Sequence, residues 1–313
     1  MEAQENLWDI VIIGSGPAGL TAAIYTSRGA ASTLVLAGST WGGQLMLTTE
    51  VENFPGFPEG VMGPDLMLKM RQQAERFGSV VKEEDTREVV TSENGFLVKT
   101  DNSSYKARSL IVASGAATKW LDAPGVKELI GRGVSSCAPC DAYFFKDKRV
   151  AVVGGGDSAM EEALVLSKFA NEVVIIHRRD EFRASKIMQD KVFANPKIKV
   201  LWNTEVKEAK GKEKLETLVL FNNKTQEVKE ESFDGLFVAI GHVPQSEVFK
   251  GLLELDEKGY VKVFDKTKTN VTGIFVAGDV HDFRYRQAVT AAGFGCMAAL
   301  DALSYLENLK SAS

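Results

Sequence analysis

Cysteine is scarce in this chain: 313 residues carry only three. Cys137 and Cys140 share a CxxC and Cys296 stands far downstream, so there is no framework of paired half-cystines like those that staple small secreted domains. Histidine is equally rare, and His177, His242 and His281 stand in no paired spacing, which leaves a four-ligand zinc site without its second half. Basic residues are the minority, 37 against 42 acidic, for a net charge of -5. That balance argues against non-specific binding to nucleic acid or to anionic membranes. Long apolar runs are also missing: the longest, such as Ile10–Ile13 and Val150–Val153, are strand-length and far from the roughly 18 to 20 residues of a membrane span. No basic N-terminal segment leads into an apolar stretch with a small-residue cleavage site, so a cytoplasmic, reducing setting is expected.

What is present is an alternation of strand-like runs with helical patterns, which predicts an α/β protein with parallel sheets built from βαβ units. The first unit is Ile10–Ile13, the loop Gly14-Ser15-Gly16-Pro17-Ala18-Gly19, a helix to about Arg28 and a strand at Thr33–Leu36. The layout recurs at Arg149–Val153, Gly154-Gly155-Gly156-Asp157-Ser158-Ala159, a helix to about Phe169 and Val173–Ile176. The length accommodates two domains, each with its own core. Further strands are expected at Phe96–Lys99, Ser109–Ala113, Gly235–Ile240 and Gly273–Val276, with a charged hairpin over Gly211–Glu231. A helix from about Gln287 closes the chain, and Lys310–Ser313 reads as a frayed tail.

Each glycine loop has a physical reading. The first glycine permits the strand-to-helix turn, the second lets a pyrophosphate approach the backbone, and the third lets helix pack on strand. The pyrophosphate then meets the free N–H groups and positive end of the helix. One such loop alone is compatible with a glycine-rich turn; two, each between a strand and a helix, point to two dinucleotides. After Val173–Ile176 comes His177-Arg178-Arg179, with Arg183 beyond. Guanidinium groups there suit the 2′-phosphate of NADPH, where an NAD site would place an acid; the alternative is a solvated basic helix start. The first unit has Leu36-Ala37-Gly38 at the comparable place and no acid. Gly278-Asp279 after a late strand offers a carboxylate for a ribityl hydroxyl of FAD, or is a structural turn.

The Cys137-Ala138-Pro139-Cys140-Asp141 segment has three readings: a redox dithiol, half of a zinc site, or two packing thiols. Asp141 is placed to supply and remove protons for departing thiolates if burial raises its pKa. Cys296, in an apolar small-residue helix, is expected to be buried.

Together these residues resemble the low-molecular-weight, bacterial-type thioredoxin reductases over essentially the whole chain. The resemblance is carried by the Gly14–Gly19 loop, Gly42-Gly43-Gln44-Leu45, the stretch Glu50–Gly56, CxxCD, GGGDSA, His177-Arg178-Arg179 with Phe182-Arg183, Gly278-Asp279-Val280 and Arg286-Gln287-Ala288. It implies two Rossmann-like three-layer domains: an FAD domain, 1–117 with 245–313, and an inserted NADPH domain, 118–244, that carries the dithiol. It implies FAD at Gly14, Gly16, Pro17, Ala18, Gly19, Gly43, Gln44, Leu45, Asn53, Gly115, Gly278 and Asp279, with Arg286, Gln287 and Ala288 near the isoalloxazine. It implies NADPH at Gly154, Gly156, Asp157, Ser158, Ala159 and His177, with Arg178, Arg179 and Arg183 on the 2′-phosphate. Cys140 would lie nearest the flavin, Cys137 would attack the disulfide of thioredoxin, and Asp141 would be the acid/base. A homodimer, and rotation of the insert about hinges near Ala117-Thr118 and Val243-Pro244, are also implied. The chain departs from the family in Pro139, where threonine is commoner, in Ala142 for glycine and in Gln245 for asparagine. A dithiol oxidase using oxygen and a non-catalytic redox-reporting flavoprotein are the competing readings, and the arginine-rich second loop and the intact CxxCD argue against them.

Overall fold

A computed structural model describes residues 7–312 of the chain. The chain divides into two compact units, one running to Ala117 and resuming at Val243, the other spanning Thr118–His242.

The first unit begins with β1 (Leu7–Ile13), α1 (Pro17–Arg28) and β2 (Thr33–Leu36), followed by α2 (Gly63–Arg76), β3 (Val80–Lys82), β4 (Thr86–Ser92), β5 (Gly95–Thr100) and β6 (Ser104–Val112). β1 lies between β2 and β6, parallel to both, with Ile12 opposite Val35 on one side and Ile111 on the other. Both faces of β1 are buried, which is why Ile10–Ile13 reads as a continuous apolar run rather than an alternating one. Ile10 and Ile12 face Ala22 and Ala23 of α1, while Val11 and Ile13 face the layer holding Val89 and Val98 of the antiparallel β4 and β5.

The second unit repeats the plan. β7 (Val134–Ser135), the one-turn α3 (Ala138–Asp141), β8 (Arg149–Val153), α4 (Asp157–Leu166), β9 (Glu172–Ile176), α5 (Lys186–Phe193) and β10 (Ile198–Leu201) lead to a meander of β11 (Thr204–Lys210), β12 (Thr217–Asn222) and β13 (Val228–Ser232), then β14 (Gly235–Val238). The sheet order is β7-β14-β8-β9-β10, all parallel. Its even-numbered β8 residues Val150 and Val152 pack on Met160 and Ala163 of α4; Ala151 packs on the meander through Leu218 and Leu220. Helix, parallel sheet and antiparallel sheet make three layers.

Back in the first unit, β15 (Ile274–Val276) pairs with the end of β6, and α6 (Ala288–Ala312) lies against α1, with Ala298, Ala299 and Ala302 in the core. α6 corrects two sequence expectations. Lys310–Ala312 continue the helix instead of fraying, Ser313 lying outside the described residues. Its Ala288–Ser311 stretch is also long and apolar enough to cross a membrane by length and composition, and within it Ala291–Leu300 is a ten-residue run with no polar side chain, longer than the strand-length runs. It serves here as a core helix of the first unit.

Candidate active site and nucleotide loops

In the first unit the glycine loop leaves β1 at Gly14, whose φ is +110°; a Cβ there would lie 2.2 Å from the Ala113 carbonyl oxygen. A Cβ on Gly19 would lie 2.0 Å from the Gly14 carbonyl oxygen, whereas one on Gly16 would meet nothing within 4 Å. The first and third glycines are therefore required by the fold, and the second is required by nothing in the chain itself. Open space above the backbone at a helix N-terminus fits the approach of a pyrophosphate. Pro17 starts α1, where its missing N–H costs no helical hydrogen bond. Ala18 is buried, and a Cβ on Gly278 (φ +77°) or on Gly295 would come within 2.9 Å or 2.2 Å of it, so the late strand and α6 close on the loop at this residue. The short 3-10 turn Gly43–Leu47 carries Gln44 exposed and Leu45 half-buried, with Gly43 against Gly16.

Asn53 donates through Nδ2 to Gln287 Oε1 at 3.3 Å, joining the 52–58 segment to the start of α6. That segment borders a cavity of about 470 Å³. Gly115 (φ +72°) also has open space, and its carbonyl accepts from Gln245 N at 2.9 Å. Asp279 follows β15; burial, reinforced by the Asp282 charge and opposed by Arg286, pushes its carboxyl up to about 7. Asp282 Oδ1 accepts from the Arg284 and Tyr285 amides, both at 3.0 Å, shaping the turn that holds Arg286 at φ +49° and leads to Gln287 and Ala288. Asp282 Oδ2 and His281 Nε2 are buried without a hydrogen-bond partner, and burial pushes His281 down to about 4. Open space at Gly16 and Gly115, and the unsatisfied Asp282 and His281 atoms elsewhere in the same unit, fit a polyhydroxylated dinucleotide such as FAD. Asp282 was not signalled by the sequence, since its function is to shape a turn. No acid follows β2; the nearby Asp85 Oδ1 accepts from Ser39 N at 2.9 Å and holds the turn after that strand.

In the second unit a Cβ on Gly154 would lie 2.5 Å from that of Ala159, and one on Gly155 only 2.1 Å from the His177 ring. Gly156, like Gly16, has open space. His177 is buried beneath the loop, its Nε2 2.9 Å from the Glu181 carbonyl and its ring against Phe182 and Trp202. Burial lowers its pKa, so it is a neutral prop for the loop. Asp157 Oδ1 accepts from Ser185 N (2.9 Å) and Ser185 Oγ (2.8 Å), and Ser158 is exposed at the start of α4. Arg178, Arg179 and Arg183 are exposed; the Arg183 amide donates to the Gly155 carbonyl at 2.8 Å, tying the arginine segment to the loop. Among the described residues none of these three guanidinium groups forms a salt bridge, which leaves a concentration of positive charge beside an open helix N-terminus.

The CxxC is closed: Cys137 and Cys140 form a disulfide with Cα atoms 5.3 Å apart. Cys137 caps α3, and its carbonyl accepts from the Cys140 (3.2 Å) and Asp141 (3.1 Å) amides. Pro139 sits in the first turn, where no such donor is needed, so it fits the turn without loss of a bond. The Ala138 amide donates to Glu162 of α4, and the Cys137 amide to Ser135 Oγ at 3.1 Å. Burial raises the Asp141 pKa, and a hydrogen bond from Ser135 opposes the rise. Neither Ser135 nor Glu162 was found from the sequence, because only the folded turn brings them to the dithiol. Cys296 corrects another expectation. It is half-buried rather than buried, because its position on α6 turns it to the outer face with Val289 and Leu300.

Comparison with known proteins places these features in context. The family model described as pyridine nucleotide-disulphide oxidoreductase matches residues 8–295. A thioredoxin reductase of Streptomyces clavuligerus is 53% identical over 304 residues, covering 96% of this chain and 94% of the relative. One of Mycolicibacterium smegmatis is 50% identical over 307 residues, covering 98% and 99%. The crystal structure of thioredoxin reductase from Streptococcus pyogenes superposes with a TM-score of 0.94 at 39% identity, covering 97% of this chain and all of that one.

Proposed function

Because this chain belongs to the low-molecular-weight thioredoxin reductases of the pyridine nucleotide-disulphide oxidoreductase family, we propose that it reduces the disulfide of a thioredoxin with electrons from NADPH, through FAD and the Cys137–Cys140 pair. The observation that carries this reading is the closed disulfide on the same unit as a nucleotide loop flanked by exposed arginines. Bound FAD and NADPH would supply the hydride and the two-electron relay.

The residues proposed to hold FAD are those of the first unit: Gly14, Gly16, Pro17, Ala18, Gly19, Gly43, Gln44, Leu45, Asn53, Gly115, Gly278 and Asp279, with Arg286, Gln287 and Ala288 at the flavin end. Those proposed for NADPH are Gly154, Gly156, Asp157, Ser158 and Ala159, with Arg178, Arg179 and Arg183 on the 2′-phosphate and His177 as support. Two electrons and two protons open the Cys137–Cys140 bond to a dithiol. The Cys137 thiolate attacks one sulfur of the thioredoxin disulfide, forming a mixed disulfide as that bond breaks. Cys140 then attacks Cys137 Sγ, which re-forms the disulfide seen here and releases thioredoxin as a dithiol. The two protons of the pair end on the two thioredoxin sulfurs. Asp141, whose raised pKa favours the protonated form, gives a proton to the departing thiolate and recovers it when the thiol is deprotonated.

Dithiol and second loop ride on one unit, so serving a single flavin with both requires the 118–242 unit to turn about its two connections. A homodimer through the first unit is supported by the apolar stripe on α6, where Val289 and Leu300 are 42% and 53% exposed on one face with Cys296. Cys137→Ser tests the reaction: NADPH should still bleach the flavin while thioredoxin turnover is lost. Turnover at the wild-type rate in that variant would overturn the assignment.

A further inference from the structure

Asp157 is the first residue of α4 and follows Gly156, whose open space suits an approaching phosphate. A negative side chain beside an anion site works against binding unless it serves another partner. Asp157 has one: its Oδ1 accepts from the Ser185 amide at 2.9 Å and from the Ser185 hydroxyl at 2.8 Å. Ser185 is the N-cap of α5. Two residues earlier on each side, the Gly155 carbonyl accepts from the Arg183 amide at 2.8 Å. The pairs 155 with 183 and 157 with 185 thus repeat at the two-residue spacing of paired strands, a carboxylate taking the place of the second carbonyl. Phe182 and Ala184 share the core with Met160 of α4 and Val192 of α5, and Arg183 between them is exposed. The other two arginines are also held by their backbones. The Arg178 carbonyl accepts from Asn223 Nδ2 at 2.9 Å and the Arg179 carbonyl from the Asn203 amide at 3.0 Å. The segment is therefore fixed from the meander at one end and from the glycine loop and Asp157 at the other.

We propose that Asp157 is a positioning residue that sets the preference for NADPH: its carboxylate clasps Ser185, and through it holds the arginine segment against the glycine loop so that Arg183 is presented to the 2′-phosphate. The inference rests on the reading of the second loop as the NADPH site, and it gives Asp157 an indirect place among the residues assigned to that cofactor. A segment held in its binding conformation before the ligand arrives loses less freedom on binding. The clasp acts on the stretch that bears the arginines and not on Gly156, so its loss falls on the 2′-phosphate and spares the pyrophosphate. Two simpler roles differ in sign. An acid that only complements the helix dipole would, on removal, relieve repulsion and tighten both NADPH and NADH. A direct ligand of the shared dinucleotide would weaken both alike.

The test is calorimetric titration of the oxidised, FAD-loaded protein with NADP+ and with NAD+. In Asp157→Ala the Kd for NADP+ should rise about five- to tenfold, while that for NAD+ stays level or falls. Asp157→Asn keeps an acceptor oxygen for Ser185 and should hold the NADP+ value within about twofold of wild type. Amide hydrogen exchange over 183–186, measured without NADP+, should quicken in Asp157→Ala, which reads the clasp directly. If Asp157→Ala fails to fold, Ser185→Ala gives up the hydroxyl contact and keeps the amide. It should raise the Kd for NADP+ about two- to threefold, and Ser185→Thr should restore it. NADP+ binding that is unchanged or tighter in Asp157→Ala, or an equal loss of NADP+ and NAD+, would overturn the role of Asp157 alone. A wild-type protein that binds the two nucleotides alike would overturn the reading of the second loop, and this inference with it.

Discussion

Gly16 and Gly156 are the two residues at which stability and binding should separate most cleanly. A methyl group at either meets nothing of the chain, and Gly16 has an ordinary φ of -68°. Gly16→Ala and Gly156→Ala should therefore leave the thermal stability of the nucleotide-free protein within about 0.5 kcal/mol. The first should sharply weaken FAD binding and the second NADPH binding. Gly14→Ala, by contrast, drives a Cβ into the Ala113 carbonyl at a φ of +110° and should cost about 2–4 kcal/mol of stability. Calorimetry of the stripped proteins with nucleotide titrations checks both halves; equal destabilisation at Gly14 and Gly16 would contradict the reading. The arginines act at the same scale. Arg178→Ala with Arg183→Ala should raise KM for NADPH by at least tenfold, about 1.4 kcal/mol or more, with little change for NADH, since a charge-assisted phosphate contact is lost only with the phosphorylated cofactor. Equal effects on both cofactors would remove the 2′-phosphate from the account.

Among the elements, the turn from Asp279 to Gln287 carries opposing titrations. Asp279 is raised from 3.8 to about 7, so between those values the native state holds more protons than the unfolded chain and stability falls as pH rises. His281 is lowered from 6.5 to about 4, so from pH 6.5 down to 4 the unfolded chain binds more protons and stability falls as pH drops. The two slopes oppose each other between about pH 4 and 6.5. In flavin-free protein, Asp279→Asn should make stability rise more steeply with pH across that window than in wild type, and His281→Gln should make it fall. Urea midpoints at pH 4.5 and 6.5 measure this, and parallel changes in the two variants would contradict it. Elements of this kind also show how far the sequence was readable. The strands and both glycine loops were legible because sterics at Gly14, Gly19 and Gly154 are local demands of a strand-turn-helix. Ser135, Glu162 and Asp282 were not, because each acts on a backbone amide in a turn whose geometry appears only after folding. Half-burial of Cys296 was legible in principle: Val289, Cys296 and Leu300 recur at a spacing that puts them on one helical face.

For the whole molecule, the interrupted first unit is the feature with the largest functional consequence. Its sheet needs β15, which is separated from β6 by the whole second unit, so the first core closes only after the chain returns at Val243. The second unit needs no strand from outside 118–242, and its sheet and meander enclose their own cores. An independent insert on two connections is what a turning unit requires, and it carries both the electron entry loop and the electron exit dithiol.

Electron delivery to that dithiol is the central claim, and it can be read directly. The FAD-loaded protein is given NADPH without oxygen, quenched with iodoacetamide, and the peptide containing Cys137 and Cys140 is weighed by mass spectrometry. At full reduction two NADPH should be consumed per protein, one for the flavin and one for the disulfide, and two alkyl groups should appear on that peptide, with none there before NADPH is added, while labelling of Cys296 is unchanged by the cofactor. Consumption of NADPH beyond one per flavin with the Cys137–Cys140 bond intact would contradict the account.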